Sequence, residues 1–594
     1  MSKPYISNYD KAPVVPISAS RDSCDVGWQE INARLQASVK ESVKESSRPG
    51  RFVVCVECYP GCFEAEIEHE FVSALHPQCV VRAQDCYLPE AAIQSLCARD
   101  LGDDPVFAFM GKYELSEFLD EAERAKQQIH VSQASGLVLV IGTGATLIAE
   151  QWDLLVYCDM ARWEIQQRQR TGEVPNLGLQ NSAERPQAKY KRAYFVDWRV
   201  ADRLKKTLLP RIVFLLDTNQ RDLPKMITGT QLAQGLKHAA HRPFRVVPFF
   251  DPGPWGGQWM KEVCDLPRDA ENYAWCFDCV PEENSLLLGF GDVKVEIPSI
   301  NLVFQHPHEL LGEAVHARFG TEFPIRFDFL DTMDGGNLSF QVHPLTEYIQ
   351  QQFGMNYTQD ESYYMLDAAE EGCVYLGVRE NIDREQMTND LLQAQEGTIQ
   401  FDADKYVNRF PAKKHDHFLI PAGTPHCSGK NSMVLEISAT PYIFTFKMWD
   451  WGRLGLDGTP RPIHLQHGFR NIQWDRTTSW VEKNLVNAIE LVAKGNGWQE
   501  ERTGLHEREF IETRRHWFTE SVPHFTKGGV NVLNLCEGRE AIVESPGGKF
   551  PPFVVHYAET FIVPAAVGDY VIRPHGPSEG QRCATIKAFV RTNP

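Results

Sequence analysis

The sequence predicts a multidomain α/β plus all-β chain: an N-terminal doubly wound parallel sheet is followed by two β-barrels of the jelly-roll type. Three observations favour this fold class. The chain has 594 residues, several times the roughly 150 residues of an average domain. Buried strands alternate with helices up to about residue 235, which is typical of a parallel sheet. Short strands separated by turns follow, as expected of antiparallel barrels.

Changes in composition divide the chain into four predicted segments. RFVVCVEC, SGLVLVIG and DLLVYCD are the strands expected to build the parallel sheet, and NIDREQMTNDLLQAQ is expected to form a helix with Asp383 at its N-terminus. The segments are an N-terminal helical extension at 1–50, the α/β domain at 51–238, the first barrel with a helical insertion at 239–500, and a smaller barrel at 501–594.

Charge and hydropathy exclude several classes of function. The net charge of −19 argues against a general nucleic-acid binder or a binder of anionic membranes, both of which need basic surface. We find no apolar run of about 18 residues that would span a membrane, and the N-terminus lacks the apolar core of a signal peptide. The 15 cysteines are odd in number and scattered, which suits free thiols in the cytoplasm.

Two CxxC spacings raise the question of a four-thiolate zinc site. Cys55 and Cys58 form one pair, and Cys276 and Cys279 form the other. The pairs lie more than 200 residues apart, within aromatic or β-branched runs rather than glycine turns. Buried thiols on strands are the interpretation we favour, because a free cysteine packs as a small hydrophobic residue.

A second set of residues has the chemistry of a metal site. In a strand, Gln341 and His343 would face the same side, and Pro344 would end the strand. Glu361 begins the next predicted strand, and His426 follows a tight turn in FLIPAGTPHCSG. An amide oxygen, two imidazoles and a carboxylate suit Zn²⁺ or another divalent ion. The alternative is a buried histidine that is hydrogen-bonded to a neighbouring amide.

Six stretches between residues 240 and 594 form a recognisable series: PWGGQW, LSFQVHP, ESYYMLD, FLIPAGTPH, LE at 435–436 and TFKMWDWGR. In these stretches and their order, residues 240–594 resemble the class I, or cupin, mannose-6-phosphate isomerases. The resemblance implies two cupin domains and assigns zinc binding to Gln341, His343, Glu361 and His426.

The reaction that the resemblance implies is the interconversion of mannose 6-phosphate and fructose 6-phosphate, or of a related sugar, by proton transfer between C1 and C2. Glu436 occupies the position of a site carboxylate of the family, and Lys447 that of a site arginine. The alternatives are a solvated strand residue for Glu436 and a surface lysine for Lys447.

Three positions depart from the family pattern around the expected phosphate. Gln359 and Asp328 stand where the family has lysines, and Lys447 cannot make the planar bidentate contact of an arginine. An isomerase of a different or unphosphorylated sugar therefore remains open, as does a catalytically silent cupin with a sugar-sensing or structural role. The nearby cations that would compensate are Arg326, Lys413, Lys414 and Arg453.

RFVVCVECYPGCFEAE, LVLVIGTGATLI, WDLLVYCDMARWEIQQRQR and YKRAYFVDWRVADR give the N-terminal half a resemblance to a degenerate P-loop domain of the uridine kinase and phosphoribulokinase type. CYPGCFEAE, at the expected phosphate loop, has a single glycine and no lysine, serine or threonine. Glu64, Glu66 and Glu68 would repel phosphate at the start of the helix. We expect oligomerisation or ligand sensing rather than phosphoryl transfer, and interpret GTGAT at 142–146 as a strand-to-helix turn.

Overall fold

The computed structural model describes residues 7–17, 21–45, 50–439, 444–454, 458, 461–504 and 506–592. Two compact units make up the chain. One unit contains residues 14–238 and 285–305, and the other contains residues 1–13, 239–284 and 306–594. Among the described residues, we find no helix with both the length and the apolar character needed to cross a lipid bilayer.

The first unit is built on a seven-stranded sheet whose strand order is β2-β8-β7-β6-β3-β5-β4. The five strands from β3 to β7 run parallel. At one edge of the sheet, β8 pairs antiparallel with β7, and β2 pairs antiparallel with β8. The sheet strands are β2 Asp25–Val26, β3 Arg51–Cys58, β4 Cys79–Arg82, β5 Gly136–Gly142, β6 Leu154–Asp159, β7 Phe214–Asp217 and β8 Lys225–Thr228.

Helices connect the parallel strands, as the predicted α/β pattern requires. The helices of this unit are α1 Gly27–Glu45, α2 Glu64–Leu75, α3 Glu90–Leu101, α4 Glu121–Gln133, α5 Ala145–Ile148, α6 Arg162–Arg170, α7 Pro186–Arg192, α8 Trp198–Leu208, α9 Gly229–Ala239 and α11 Ile300–Gln305.

A three-stranded sheet also belongs to this unit and joins distant parts of the chain. Strand β1, Val14–Pro16, pairs in parallel with β11, Ser285–Phe290, which pairs antiparallel with β12, Val293–Pro298. Residues 285–305 thus lie in the α/β unit although the sequence placed them within the first barrel, because the pairing of β11 with β1 is invisible to local patterns.

The first barrel consists of two sheets, with strand orders β18-β15-β20-β13-β10-β9 and β17-β16-β19-β14-β21. Its strands are β9 Phe249–Asp251, β10 Trp275–Cys279, β13 Arg326–Asp331, β14 Phe340–Val342, β15 Glu361–Ala368, β16 Cys373–Val378, β17 Val407–Pro411, β18 His417–Ile420, β19 His426–Ser428, β20 Ser432–Ser438 and β21 Phe446–Trp449.

Several helices lie between the strands of this barrel in the sequence, and the predicted helical insertion is one of them. Helix α15 begins after Asp383, whose carboxylate accepts a hydrogen bond of 3.0 Å from the Gln386 amide as an N-cap. The helices of this unit are α10 Trp259–Val263, α12 Pro307–Leu311, α13 Glu313–Phe319, α14 Thr346–Phe353, α15 Arg384–Gln395, α16 Ala403–Tyr406, α17 Leu465–Phe469 and α18 Thr478–Asn484.

The second barrel pairs a six-stranded sheet, β22-β23-β24-β31-β26-β29, with a four-stranded sheet, β25-β30-β27-β28. Its first strand begins at Glu490, before the predicted segment start at 501, because β22 pairs with β23 as a hairpin. The strands are β22 Glu490–Gly495, β23 Trp498–Gly504, β24 Ile511–Phe518, β25 Val522–Phe525, β26 Asn531–Glu537, β27 Glu540–Glu544, β28 Phe553–His556, β29 Thr560–Val563, β30 Asp569–Pro574 and β31 Cys583–Val590.

The CxxC cysteines lie on strands. Cys55 and Cys58 are on β3, Cys276 and Cys279 are on β10, and all four are buried. All fifteen cysteines of the chain are free. The interpretation of these residues as packed strand thiols agrees with the structure.

Candidate metal centre and the adjoining cavity

Two neighbouring strands of the five-stranded sheet position the first part of the metal centre. Gln341 lies on β14 directly opposite His426 on β19, and His343 follows the end of β14. On the other side, Gln341 pairs with Lys447 of β21. The pleat and the register therefore bring residues that are far apart in sequence into one row.

Glu361 comes from the facing sheet, where it begins β15. Its Oε2 lies 3.0 Å from His343 Nε2, and its Oε1 lies 2.8 Å from His426 Nε2. All three side chains are buried, with exposures of 2% or less. The ligand atoms of His343, Glu361 and His426 lie within 4.8 Å of one another, and this is the one such group of three or more among the described residues.

Backbone carbonyls fix the orientation of both imidazoles. His343 Nδ1 lies 2.7 Å from the Phe444 carbonyl oxygen, and His426 Nδ1 lies 2.8 Å from that of Thr424. An imidazole that donates its Nδ1 hydrogen in this way presents an unprotonated Nε2, which is the form that binds metals. Both Nε2 atoms therefore face the Glu361 carboxylate as potential ligands.

The donor atoms also fit a metal better than they fit one another. Despite the short distances within the group, neither His343 Nε2 nor Glu361 Oε1 makes a hydrogen bond of acceptable geometry with any partner, although both atoms are buried. Unpartnered polar atoms in a protein interior are costly, and a bound cation would satisfy them. Burial raises the pKa of Glu361, but the charge that the two imidazoles carry when protonated outweighs burial and holds the pKa well below its usual range.

Gln341 completes the predicted set of four. Its amide nitrogen lies 3.3 Å from His426 Nε2, at the edge of the three-residue group. A half-turn of the amide exchanges its two terminal atoms and places the carbonyl oxygen at this position. The structure thus brings together the four residues that the sequence proposed as ligands.

A cavity of about 200 Å³ adjoins the centre through Gln341. Glu436 and Lys447, the two predicted catalytic residues, both line it. The other lining residues are Trp255, Trp275, Arg326, Asp328, Leu330, Leu338, Ser339, Gln359, Thr445 and Arg461.

The two predicted catalytic groups have shifted pKa values. Burial raises the pKa of Glu436 well above its usual range, the carboxylates of Glu361 and Asp328 add to the rise, and Arg326 opposes it. Burial and, to a smaller extent, the nearby guanidinium of Arg461 lower the pKa of Lys447 to about 7. Shifted pKa values of this kind are common in groups that transfer protons during catalysis, and they also occur in structural ion-pair networks.

Several features of the cavity were not identified from the sequence. Arg461 and Trp255 were not proposed as site residues, because both are far in sequence from the metal-ligand motifs. Of the four cations considered as replacements for lysine, Arg326 lines the cavity. Lys414 instead lies 2.6 Å from Glu537 in an ion pair.

In the α/β unit, the predicted phosphate loop has its polar groups engaged internally. The Arg168 guanidinium donates hydrogen bonds to the carbonyls of Gly61, Thr218 and Asn219 at 3.0, 2.7 and 3.1 Å. In the segment GTGAT, the Glu57 carboxylate accepts from the amide of Thr146 at 2.8 Å.

GTGAT itself connects β5 to the short helix α5, as predicted for a strand-to-helix turn. Gly144 has a φ of 92°, a conformation that favours glycine.

Comparisons with known proteins found one matching family model and several related proteins. Residues 27–241 match a family model described as a domain of unknown function, DUF8485. A mannose-6-phosphate isomerase of Streptococcus mutans is 26% identical over 214 residues, which are 36% of this chain and 62% of that protein. The isomerase ManA of Bacillus subtilis is 23% identical over 237 residues, which cover 39% of this chain and 68% of the relative.

Solved structures of mannose-6-phosphate isomerases are also similar to this chain. The mannose 6-phosphate isomerase from Bacillus subtilis covers 58% of this chain and 99% of its own length, with 18% identity and a TM-score of 0.46. A mutant of phosphomannose isomerase from Salmonella typhimurium covers 59% and 100%, with 14% identity and a TM-score of 0.44. The matched sequence spans about two thirds of the curated relatives, so the chain is homologous to mannose-6-phosphate isomerases over part of its length.

Proposed function

We propose that this protein is a metal-dependent aldose–ketose isomerase of the mannose-6-phosphate isomerase type. The observation that carries the proposal is the convergence of His343, Glu361 and His426 beside a cavity that is lined by Glu436 and Lys447. The partial homology to mannose-6-phosphate isomerases supports it independently.

The metal would be held by Gln341, His343, Glu361 and His426. We propose zinc, although the mixed set of nitrogen and oxygen donors also suits other divalent ions. When bound, such an ion supplies a positive charge that polarises a sugar carbonyl and favours the enediolate over the aldose or ketose.

Glu436 is the group that we assign to carbon–hydrogen chemistry. In the aldose-to-ketose direction it removes the C2 proton, and the electron pair of that bond forms the C1=C2 double bond of an enediolate. Glu436 then returns the proton to C1 while a hydroxyl proton moves from O2 to O1. C1 is reduced and C2 is oxidised within one molecule, so the step requires no external oxidant.

The surroundings of Glu436 suit this role. It is 6% exposed, and its Oε1 lies 3.4 Å from Gln359 Nε2, which also donates to Glu361 Oε2 at 2.9 Å. Gln359 is held in turn by the Phe444 amide, which donates to its Oε1 at 3.0 Å. Gln359 is therefore a positioning residue that fixes Glu436 relative to the metal ligands.

Lys447 would stabilise the oxygen charge of the enediolate. It is the direct cross-strand neighbour of Gln341 on β21, and it lines the cavity beside that ligand. An ammonium group at this place would donate hydrogen bonds to the O1 or O2 oxygen as negative charge develops. This role requires the protonated form of Lys447.

The role of Glu436 can be tested by following the exchange of the C2 proton with solvent deuterium by NMR. In Glu436→Gln we expect kcat to fall by about 10²- to 10⁴-fold, because proton transfer is lost, while the metal content is unchanged. The matched control is Glu385→Gln on the exposed face of α15, which should retain wild-type kcat. Exchange at the wild-type rate in Glu436→Gln would remove Glu436 from the mechanism.

The role of Lys447 can be tested by the pH dependence of kcat/KM. Because the pKa of Lys447 is lowered to about 7, the active ammonium form is lost as the pH rises through 7, and kcat/KM should fall. Lys447→Arg keeps its charge at high pH and should move this alkaline decline upward by more than about one pH unit. An unchanged alkaline limb in the variant would contradict the role.

A further inference from the structure

The charge balance of the cavity beside the metal centre points to its substrate. We infer that the site takes an uncharged sugar, a free aldose or ketose, rather than a sugar phosphate. This inference rests on the proposed isomerase function and narrows its substrate class. A phosphate ester carries a charge of about −1.5 to −2 at pH 7 and needs cationic or multidentate donors in its pocket.

The first arginine of the cavity is already neutralised. Arg326 and Asp328 lie two residues apart on β13 and face the same side. Arg326 Nε donates to Asp328 Oδ2 at 2.5 Å, and the two residues are only 4% and 2% exposed. A phosphate that bound Arg326 would have to approach the buried Asp328 carboxylate, which repels it, and breaking such a buried ion pair is strongly unfavourable.

The second arginine of the cavity is also held in an ion pair. Arg461 Nη1 lies 2.7 Å from Asp450 Oδ2, and Asp450 is 3% exposed. Asp450 also accepts a hydrogen bond of 2.6 Å from Arg453, so two guanidiniums share this carboxylate. Both arginines that line the cavity are therefore already engaged with a buried carboxylate.

Lys447 does not provide a separate phosphate site. Its position beside Gln341 places it at the end of the cavity where the reacting C1 and C2 oxygens would lie. The phosphate of a hexose 6-phosphate would lie at the opposite end of the sugar. Asp328 is the cross-strand neighbour of Glu436, whose carboxyl lies 3.4 Å from the Gln359 amide, and neither of these two groups is a cation.

The other side of the cavity suits the body of a sugar. Trp255 and Trp275 lie edge to face with their ring centroids 4.8 Å apart, and both line the cavity. The Trp255 indole N–H is buried, at 1% residue exposure, and has no hydrogen-bond partner. A sugar hydroxyl would satisfy this donor, and the indole faces offer apolar surface to ring carbons.

The test compares neutral and phosphorylated sugars with the full-length protein after its metal content has been measured. Mannose, glucose and lyxose are each incubated in D₂O, in parallel with mannose 6-phosphate, glucose 6-phosphate and fructose 6-phosphate. Proton exchange is followed by NMR at C2 of the five aldoses and at C1 of fructose 6-phosphate. We expect at least one neutral sugar to exceed every phosphate in kcat/KM by about tenfold or more. A higher kcat/KM for a sugar phosphate would overturn the inference and leave the isomerase function intact.

A second measurement uses wild-type protein and does not depend on a variant that folds. Inorganic phosphate at 50 mM, matched in ionic strength with chloride, should leave turnover of the neutral sugar unchanged; competitive inhibition would overturn the inference. Absence of exchange with all six sugars, despite a full complement of metal, would instead contradict the proposed isomerase function itself.

The pairing of Arg326 can be tested directly. Asp328→Asn frees the guanidinium, so we expect turnover of the sugar phosphates to rise by about tenfold relative to the neutral sugar. Asp569→Asn, at an exposed position of β30, is the matched control and should leave the ratio unchanged. An unaltered ratio in a folded Asp328→Asn variant would show that Asp328 does not exclude phosphate.

Discussion

The two β-barrels of this chain each bury a pair of histidines in contact, yet the two pairs have different surroundings. In the first barrel, the ring centroids of His343 and His426 lie 4.9 Å apart. In the second barrel, those of His516 and His524 lie 4.2 Å apart. All four side chains are at most 2% exposed. Burial and proximity therefore do not distinguish a metal centre from a packed core.

The orientation of the rings separates the two barrels. In the first, carbonyls hold both Nδ1 atoms, and a carboxylate faces both Nε2 atoms. In the second, neither nitrogen of His524 has a hydrogen-bond partner, and its ring stacks on Tyr570 at 4.9 Å. His516 faces Glu500 at 3.4 Å through Nε2 alone. Fixed tautomers and a shared carboxylate create the candidate metal centre.

The largest expected effect comes from the same substitution in each barrel. His426→Phe removes a ligand, so we expect metal content and isomerase activity to fall below detection. His524→Phe removes two unpartnered nitrogens from an aromatic stack, so the free energy of unfolding should change by less than about 1.5 kcal/mol, with full metal content. For both variants, metal content is measured by inductively coupled plasma mass spectrometry, and stability is measured by thermal unfolding. Loss of metal from His524→Phe would break the comparison.

A smaller effect is expected in acid. Burial lowers the pKa of His516 to about 4 and that of His524 well below its usual 6.5. Both are neutral in the native state and take up protons on unfolding below pH 6.5. Their stabilisation is thus complete above pH 6.5 and is lost towards pH 4, by up to about 1.4 kcal/mol per pH unit for each histidine.

The groups around these rings do not reverse the sign. Lys587 and Arg514 oppose a positive charge on His516, and Glu500 favours it less strongly than burial disfavours it. The melting temperature of the full chain, followed between pH 7.5 and 4.5, should therefore decline less steeply in His524→Phe than in the wild type. Equal slopes would show that His524 does not contribute to the acid sensitivity.

The sequence was most informative where a short motif carried the chemistry. QVHP, the start of ESYYMLD and PAGTPH contain the four residues that meet in the first barrel, because a strand register converts local spacing into a shared face. The alternation of buried strands with helices likewise predicted the parallel sheet. These features depend on residues that are close in the chain. Apolar residues repeat every two residues in a half-buried strand and about every 3.6 residues in a helix, so the sequence predicts such elements.

Other features depended on contacts that no local pattern contains. The pairing of β1 with β11 moves residues 285–305 into the α/β unit. Arg168, from helix α6, donates hydrogen bonds to the carbonyls of Gly61, Thr218 and Asn219, which the residues of the CYPGCFEAE loop do not indicate. Arg461 reaches the cavity wall from a loop far beyond the metal-ligand motifs. Each case involves a long-range side chain or strand partner.

The most direct test of the account is the metal content of the purified full-length protein, compared with that of Glu361→Gln. Glu361 is the one carboxylate that both imidazoles face, and Gln has the same shape without the charge. We predict one divalent metal per wild-type chain and almost none in the variant, with both proteins folded. Equal metal in the two proteins, or none in wild type after reconstitution with zinc, would contradict the assignment of a metal centre to the first barrel.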